Sequence, residues 1–127
     1  MDFDRNGSWY HGSPLELDVL RAGSTMTQWR DLARVFSHKP HVVCISDDRS
    51  IQHNGTLPGY LYEIAEPVGA EDVYLHPGTT MEPGDEWITS RDLRLRLIGE
   101  TVVRPEEYLS DAVIAAWRER LKTERDN

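Results

Sequence analysis

The sequence predicts an α+β fold dominated by antiparallel strands, and three observations carry that expectation. Short β-branched or alternating runs outnumber helical ones, Pro and Gly punctuate the chain between them, and the strand-helix-strand alternation of a parallel sheet is absent. With 127 residues the chain is long enough to bury about two thirds of the surface its unfolded form exposes. No repeat, low-complexity tract or Gly/Ser linker divides it, so one domain over residues 1–127 is expected.

The stretch "WYHGSP", residues 9–14, reads as a strand end that runs into a Ser-Pro turn, and "PLELDVLRAGS" alternates loosely to Gly23 and Ser24. "MTQWRDLARVFSH" places Trp29, Leu32, Ala33 and Phe36 at helical spacing behind Thr27 as a candidate cap, which predicts a short helix ending near Pro40. "HVVCISD" is short and β-branched and predicts a strand, whereas "DDRSIQHNGTLPG" has no periodicity and predicts a loop. "YLYEIAEPV" alternates with Leu61 and Ile64 out of phase, a strand with a bulge before Pro67. "GAEDVYLHPGTTMEPGDEW" is dense in turn formers. In "WITSRDLRLRLIGETVV", Leu93, Leu95 and Leu97 oppose Arg94 and Arg96, as in a half-exposed antiparallel strand. The last segment opens with Pro105 and two glutamates and closes with basic residues. Its stripe of Leu109, Ala112, Val113, Ala116, Trp117 and Leu121 predicts a C-terminal amphipathic helix packed on the sheet, with Trp117 in the core.

Composition narrows the function classes. A formal net charge of −8 and a pI near 5.0 argue against a nucleic-acid binder, which concentrates positive charge to displace counterions. Cys44 is the single cysteine and lies in an apolar run, so a buried thiol and a reducing, cytoplasmic setting are expected rather than a disulfide framework. No apolar run approaches the roughly 20 residues needed to span a bilayer, and "MDFDRNGS" is too acidic for a signal peptide, so a soluble protein with no membrane partner is expected. The five histidines lack zinc-ligand spacing, no Gly-x-Ser-x-Gly elbow is present, and no phosphate loop occurs, so no metal site is expected.

Three features then stand in order: "YHGS" at a strand end, the aromatic in "VFSHKP", and an acid at the head of a late strand in "GDEWITSRDLRLRL". That order resembles the ADP-ribosyltransferase superfamily, and "YHG…VF…GYLYEI" running on into "EP" and "RDLRLRLIGE" is most similar to its small rifampin branch. The likeness runs from Tyr10 to about Val103. It implies split antiparallel sheets with a few helices, and a cleft that takes nicotinamide adenine dinucleotide (NAD) as co-substrate. In that likeness His11 bonds a ribose hydroxyl and the Gly12 backbone meets the nicotinamide carboxamide, where the lack of a Cβ permits close approach. Phe36 takes the place of the stacking aromatic, usually tyrosine, and Ser37 follows it into the cleft. Glu86 supports the positive charge that develops as the glycosidic bond breaks. The rifampin branch sets its acid soon after the "EP" turn, so Glu71 or Asp72 stands as the alternative to Glu86.

The implied activity is transfer of ADP-ribose to an unidentified acceptor with release of nicotinamide. Two other readings use the same fold: a catalytically inert binding module, and an RNA 2'-phosphotransferase-like enzyme, for which Arg91, Arg94 and Arg96 would grip phosphate. Of the remaining histidines, His38, His41 and His53 flank loops, His76 stands between turn formers where it either touches substrate or caps a loop, and of Tyr60 and Tyr62 at most one is expected at the cleft.

Overall fold

Strand β1 (Tyr10–Ser13) pairs antiparallel with β6 (Gly59–Ile64), which pairs with the long β9 (Leu93–Thr101); β2 (Val19–Leu20) closes the far edge in the order β1-β6-β9-β2. The computed structural model describes residues 3–79, 81–82 and 84–126. A second antiparallel sheet has the order β3-β8-β7, from Thr25–Met26, Trp87–Thr89 and Val73–Leu75. The hairpin of β4 (Val43–Ile45) and β5 (Ile51–His53) stands apart. Helices α1 (Arg30–Phe36) and α2 (Asp111–Asp126) complete an α+β fold built mostly of antiparallel sheets.

Two cores hold these elements. Trp9, Leu20, Met26, Ile64, Trp87 and Leu93 are buried together between the sheets, with the Trp9 and Trp87 rings edge to face at 5.9 Å. Leu32 and Val35 of α1 meet Ile51 of the hairpin in the second core, flanked by Trp29, Phe36, Val43 and Ile45. Tyr10 exchanges both backbone hydrogen bonds with Thr27, which ties β1 to the chain just before α1.

Several local expectations need correction. The helix begins at Arg30, not behind Thr27: Trp29 is its N-cap, and Thr27 Oγ1 accepts the Trp29 N–H just outside the helix. The helix also stops at Phe36, short of Pro40. The supposed loop after Asp47 contains β5, whose Ile51 and His53 are buried against α1 and the turn after β9, a tertiary reward its polar surroundings conceal. The turn-rich stretch contains the 3-10 turn Ala70–Asp72 and strand β7. "WITSRDLRLRL" is two strands of different sheets, parted at Ser90–Asp92 where Thr89 Oγ1 donates to the Arg91 carbonyl. Leu93 is fully buried, but Leu97 on the same face is 55% exposed. The irregularity expected before Pro67 is present between Leu61 and Tyr62, but the extra residue is Ile98 of β9 rather than one of β6 itself. Cys44 is half-buried.

The C-terminal helix forms, but it does not lay its stripe on the sheet. Ile114 is its one buried apolar side chain among the described residues; Val113 and Leu121 are exposed and Trp117 is only half-buried. Leu109 is buried, but it lies ahead of the helix.

Candidate functional site

Phe36 closes α1 and Glu86 immediately precedes β8, and the fold brings the two to one cavity of about 230 Å³. Pro40 and Val43 form one wall; His76, Thr79 and Met81, from the loop between β7 and β8, form the other. Glu86 is held rather than adrift. Its backbone carbonyl accepts the His76 N–H at 3.3 Å, and Thr79 Oγ1 donates to Glu86 Oε2 at 2.5 Å. The Thr79 hydroxyl also accepts the Met81 N–H, so the loop folds around that hydroxyl. His76 Nδ1 accepts the Gly78 N–H at 3.0 Å, which leaves the hydrogen of the neutral ring on Nε2.

A second cavity of about 340 Å³ continues from the first past the shared residues Val43 and Met81. Its notable group is Arg49, held at φ 68° at the tip of the hairpin. The Arg49 guanidinium lies 3.7 Å above the centre of the Trp29 ring and 3.2 Å from Asp85 Oδ1, so it bridges the hairpin to the loop that carries Glu86.

His11 does not line either cavity. Tyr10 lies beneath Arg30 and Gly12 against Ala33, both on α1; strand alternation therefore turns His11 to the opposite face. Its Nδ1 is 2.7 Å from the Thr25 carbonyl, which can only accept, so Nδ1 carries the hydrogen and Nε2 is left as an acceptor. Burial pushes the imidazole below its ordinary pKa, against the opposing pull of the Thr25 carbonyl, so the ring is neutral at pH 7.

Gly12 and Ser37 are consumed by packing. A Cβ on Gly12 would stand 1.8 Å from the Ala33 carbonyl oxygen, so the glycine admits the helix backbone. Ser37 is fully buried. Its Oγ donates to the Arg34 carbonyl at 2.5 Å, which makes the Thr101 hydroxyl, at 2.6 Å, the donor to Ser37.

The alternative acids differ from Glu86. Asp72 accepts from Arg91 and from the Gly69 N–H, and the Arg91 guanidinium foremost holds its carboxyl below the usual range. Glu71 is exposed on the same turn. Arg91 bonds Asp72 and Glu66, Arg94 pairs with Glu66, and Arg96 pairs with Glu63, so these three guanidiniums are engaged by carboxylates. Tyr62 is buried with its hydroxyl between the Leu15 carbonyl and the Leu17 N–H, while Tyr60 reaches Glu16; neither lines the cavity at Phe36.

Sequence reasoning passed over Thr79, Met81 and Arg49. The one available signal was the turn chemistry of "HPGTTMEPGDE", which forecasts a loop but not which side chains it turns inward. No family model matches the chain, and no curated protein and no solved structure matches it.

Proposed function

We propose that the chain is an NAD-dependent ADP-ribosyltransferase that passes ADP-ribose to an acceptor and releases nicotinamide. The observation that carries this reading is the meeting of Phe36 and Glu86, distant in sequence, across one cavity with Thr79 fixing the carboxylate. A planar apolar face opposite an oriented carboxylate suits a substrate that holds an aromatic cation bonded to a ribose. Phe36 stacks on the nicotinamide ring; Glu86 accepts a hydrogen bond from the ribose hydroxyl and stabilises the positive charge that builds on the sugar. The bond between the anomeric carbon and the pyridinium nitrogen breaks, and its electron pair leaves with neutral nicotinamide. The acceptor's lone pair forms the new bond to that carbon, and its proton is lost to solvent. His11, with Nε2 free to accept, is assigned to a hydroxyl of the dinucleotide outside this cavity.

Glu86→Gln keeps size and most hydrogen-bonding capacity while removing the charge. Nicotinamide release is therefore expected to fall at least about a hundredfold with NAD affinity nearly unchanged, the signature of a contact made in the transition state. Asp72→Asn, whose native carboxylate serves Arg91, should leave release nearly unchanged. Calorimetry with millimolar NAD and an assay of released nicotinamide check both. Absence of NAD binding by the folded protein, or loss of release in Asp72→Asn alone, overturns the assignment.

The closure of Gly12 by α1 and of Ser37 by Thr101 favours a second reading, an inert module of the same architecture. NAD binding without nicotinamide release, whatever acceptor is offered, selects it.

A further inference from the structure

His38 and His53 are fully buried with their rings stacked at 5.5 Å and 8°. Hydrogen-bond partners dictate which ring nitrogen of each carries the hydrogen. His38 Nδ1 is 2.6 Å from the Leu57 carbonyl and must donate to it; its Nε2 lone pair is then sealed in the interior with no partner among the described residues. His53 Nδ1 accepts the Gly55 N–H at 3.0 Å, so its hydrogen sits on Nε2 and is donated to Glu107 Oε2 at 2.8 Å. The ionisable groups facing His38 are His53 from β5, Glu107 from the 3-10 turn Pro105–Glu107, and Arg34 from α1. Arg34 binds Glu107 through both guanidinium nitrogens at 2.9 and 3.0 Å, so that carboxylate is already neutralised.

A proton on His38 would create a buried N–H with no acceptor, so the closed arrangement admits His38 only as the neutral ring. The same cluster anchors the chain that leads into α2: the Leu109 N–H donates to the His53 carbonyl at 2.7 Å, His53 and Tyr108 form a parallel bridge, and Glu107 binds both Arg34 and His53. Past this anchor, Ile114 is the one buried side chain of α2 among the described residues.

We propose that the His38–His53 pair is an acid-triggered joint: protonation of His38 opens the contact between β5 and residues 105–109, and the C-terminal arm carrying α2 leaves the core. Burial, the dominant influence on His38, places its folded pKa below the ordinary value of about 6.5. A depressed imidazole contributes stability that is complete above that ordinary value and is lost as pH falls toward the folded one, so the arm opens on mild acidification.

Amide hydrogen exchange on the full chain tests this, with rates corrected for the intrinsic effect of pH. Between pH 7.5 and 5.5 the Leu109 amide should lose several-fold of its protection, with a ceiling of about tenfold for one imidazole, and at both pH values it should stay less protected than the Ile64 amide, which is bonded to Trp9 in the sheet and reports global unfolding. His38→Asn retains a donor for the Leu57 carbonyl and should abolish the pH dependence at Leu109. Protection at Leu109 that ignores pH, protection equal to that of Ile64 throughout, or a loss that persists in His38→Asn overturns the joint. Should that variant not fold, ring-nitrogen shifts of the wild type decide: His38 must titrate in step with Leu109 protection, and titration without opening overturns the proposal.

Discussion

Gly12 shows how one residue serves two different arguments. In the sequence it stands beside a histidine and suggests a backbone kept bare for a ligand; in the structure the bare face meets the Ala33 carbonyl. Gly12→Ala would drive a methyl into helix backbone that cannot rotate away, so we expect a loss of at least about 2 kcal/mol in unfolding free energy, read from urea titration. A near-neutral effect would show that α1 shifts readily and that the glycine is free for other work. Glu86 and Asp72 make the complementary point. Both are acids beside turns, but one oxygen of Glu86 meets a neutral hydroxyl inside a cavity, whereas Asp72 is spent on an arginine and a backbone N–H. A carboxylate already neutralised by a guanidinium has little field left for a developing cation, which is why Glu86 carries the proposed chemistry.

Among the elements, α2 departs furthest from expectation. Its periodicity predicts a buried stripe, yet residues 118–123 are all exposed, and the anchoring lies ahead of the helix in Glu107 and Leu109. Ending the chain after Trp117 should therefore lower Tm by no more than roughly 2 °C, in keeping with surface changes of a few tenths of a kcal/mol. Ending it after Arg104 strips Glu107 from Arg34, whose side chain is only 12% exposed and is left with Asp31 alone, and removes the buried Leu109 and Ile114; it should lower Tm by about 10 °C. Calorimetry of the two truncations separates an arm held at its root from a helix held along its length; equal losses would contradict the described packing.

At the scale of the molecule, acid acts through two sets of groups. His11 and His38 are both depressed by burial, so their contribution is complete above about pH 6.5 and declines below it. Asp72 and Glu66 are depressed chiefly by hydrogen bonds from Arg91. Glu107 ionises against its own burial because Arg34, His53 and the Arg104 N–H outweigh that cost. These carboxylates contribute stability above their ordinary values, near 4, and lose it below them. The urea midpoint followed from pH 8 to 3 should thus be level above about pH 7, then fall in two stages, the first removed by replacing both histidines with asparagine. A single decline confined to pH below about 5 would mean the buried imidazoles are not neutral by compulsion.

Local pattern by itself determined the α+β class, the strand at Tyr10, the helix around Leu32 and Val35, the strand at Val43, and the existence of α2, because each depends on periodicity or turn chemistry within a few residues. Tertiary structure alone decided that β5 exists, that "WITSRDLRLRL" divides between two sheets, and that α2 stands off the core. These outcomes turn on which surface each segment finds opposite it, and short strands gain most of their stability there rather than from propensity. The candidate site divides the same way. Phe36 and Glu86 were legible as residue types in order, but Thr79's grip on the carboxylate, the closure of Ser37 and the sealed His38 nitrogen come from chain segments far apart in sequence, where burial removes water as the alternative partner.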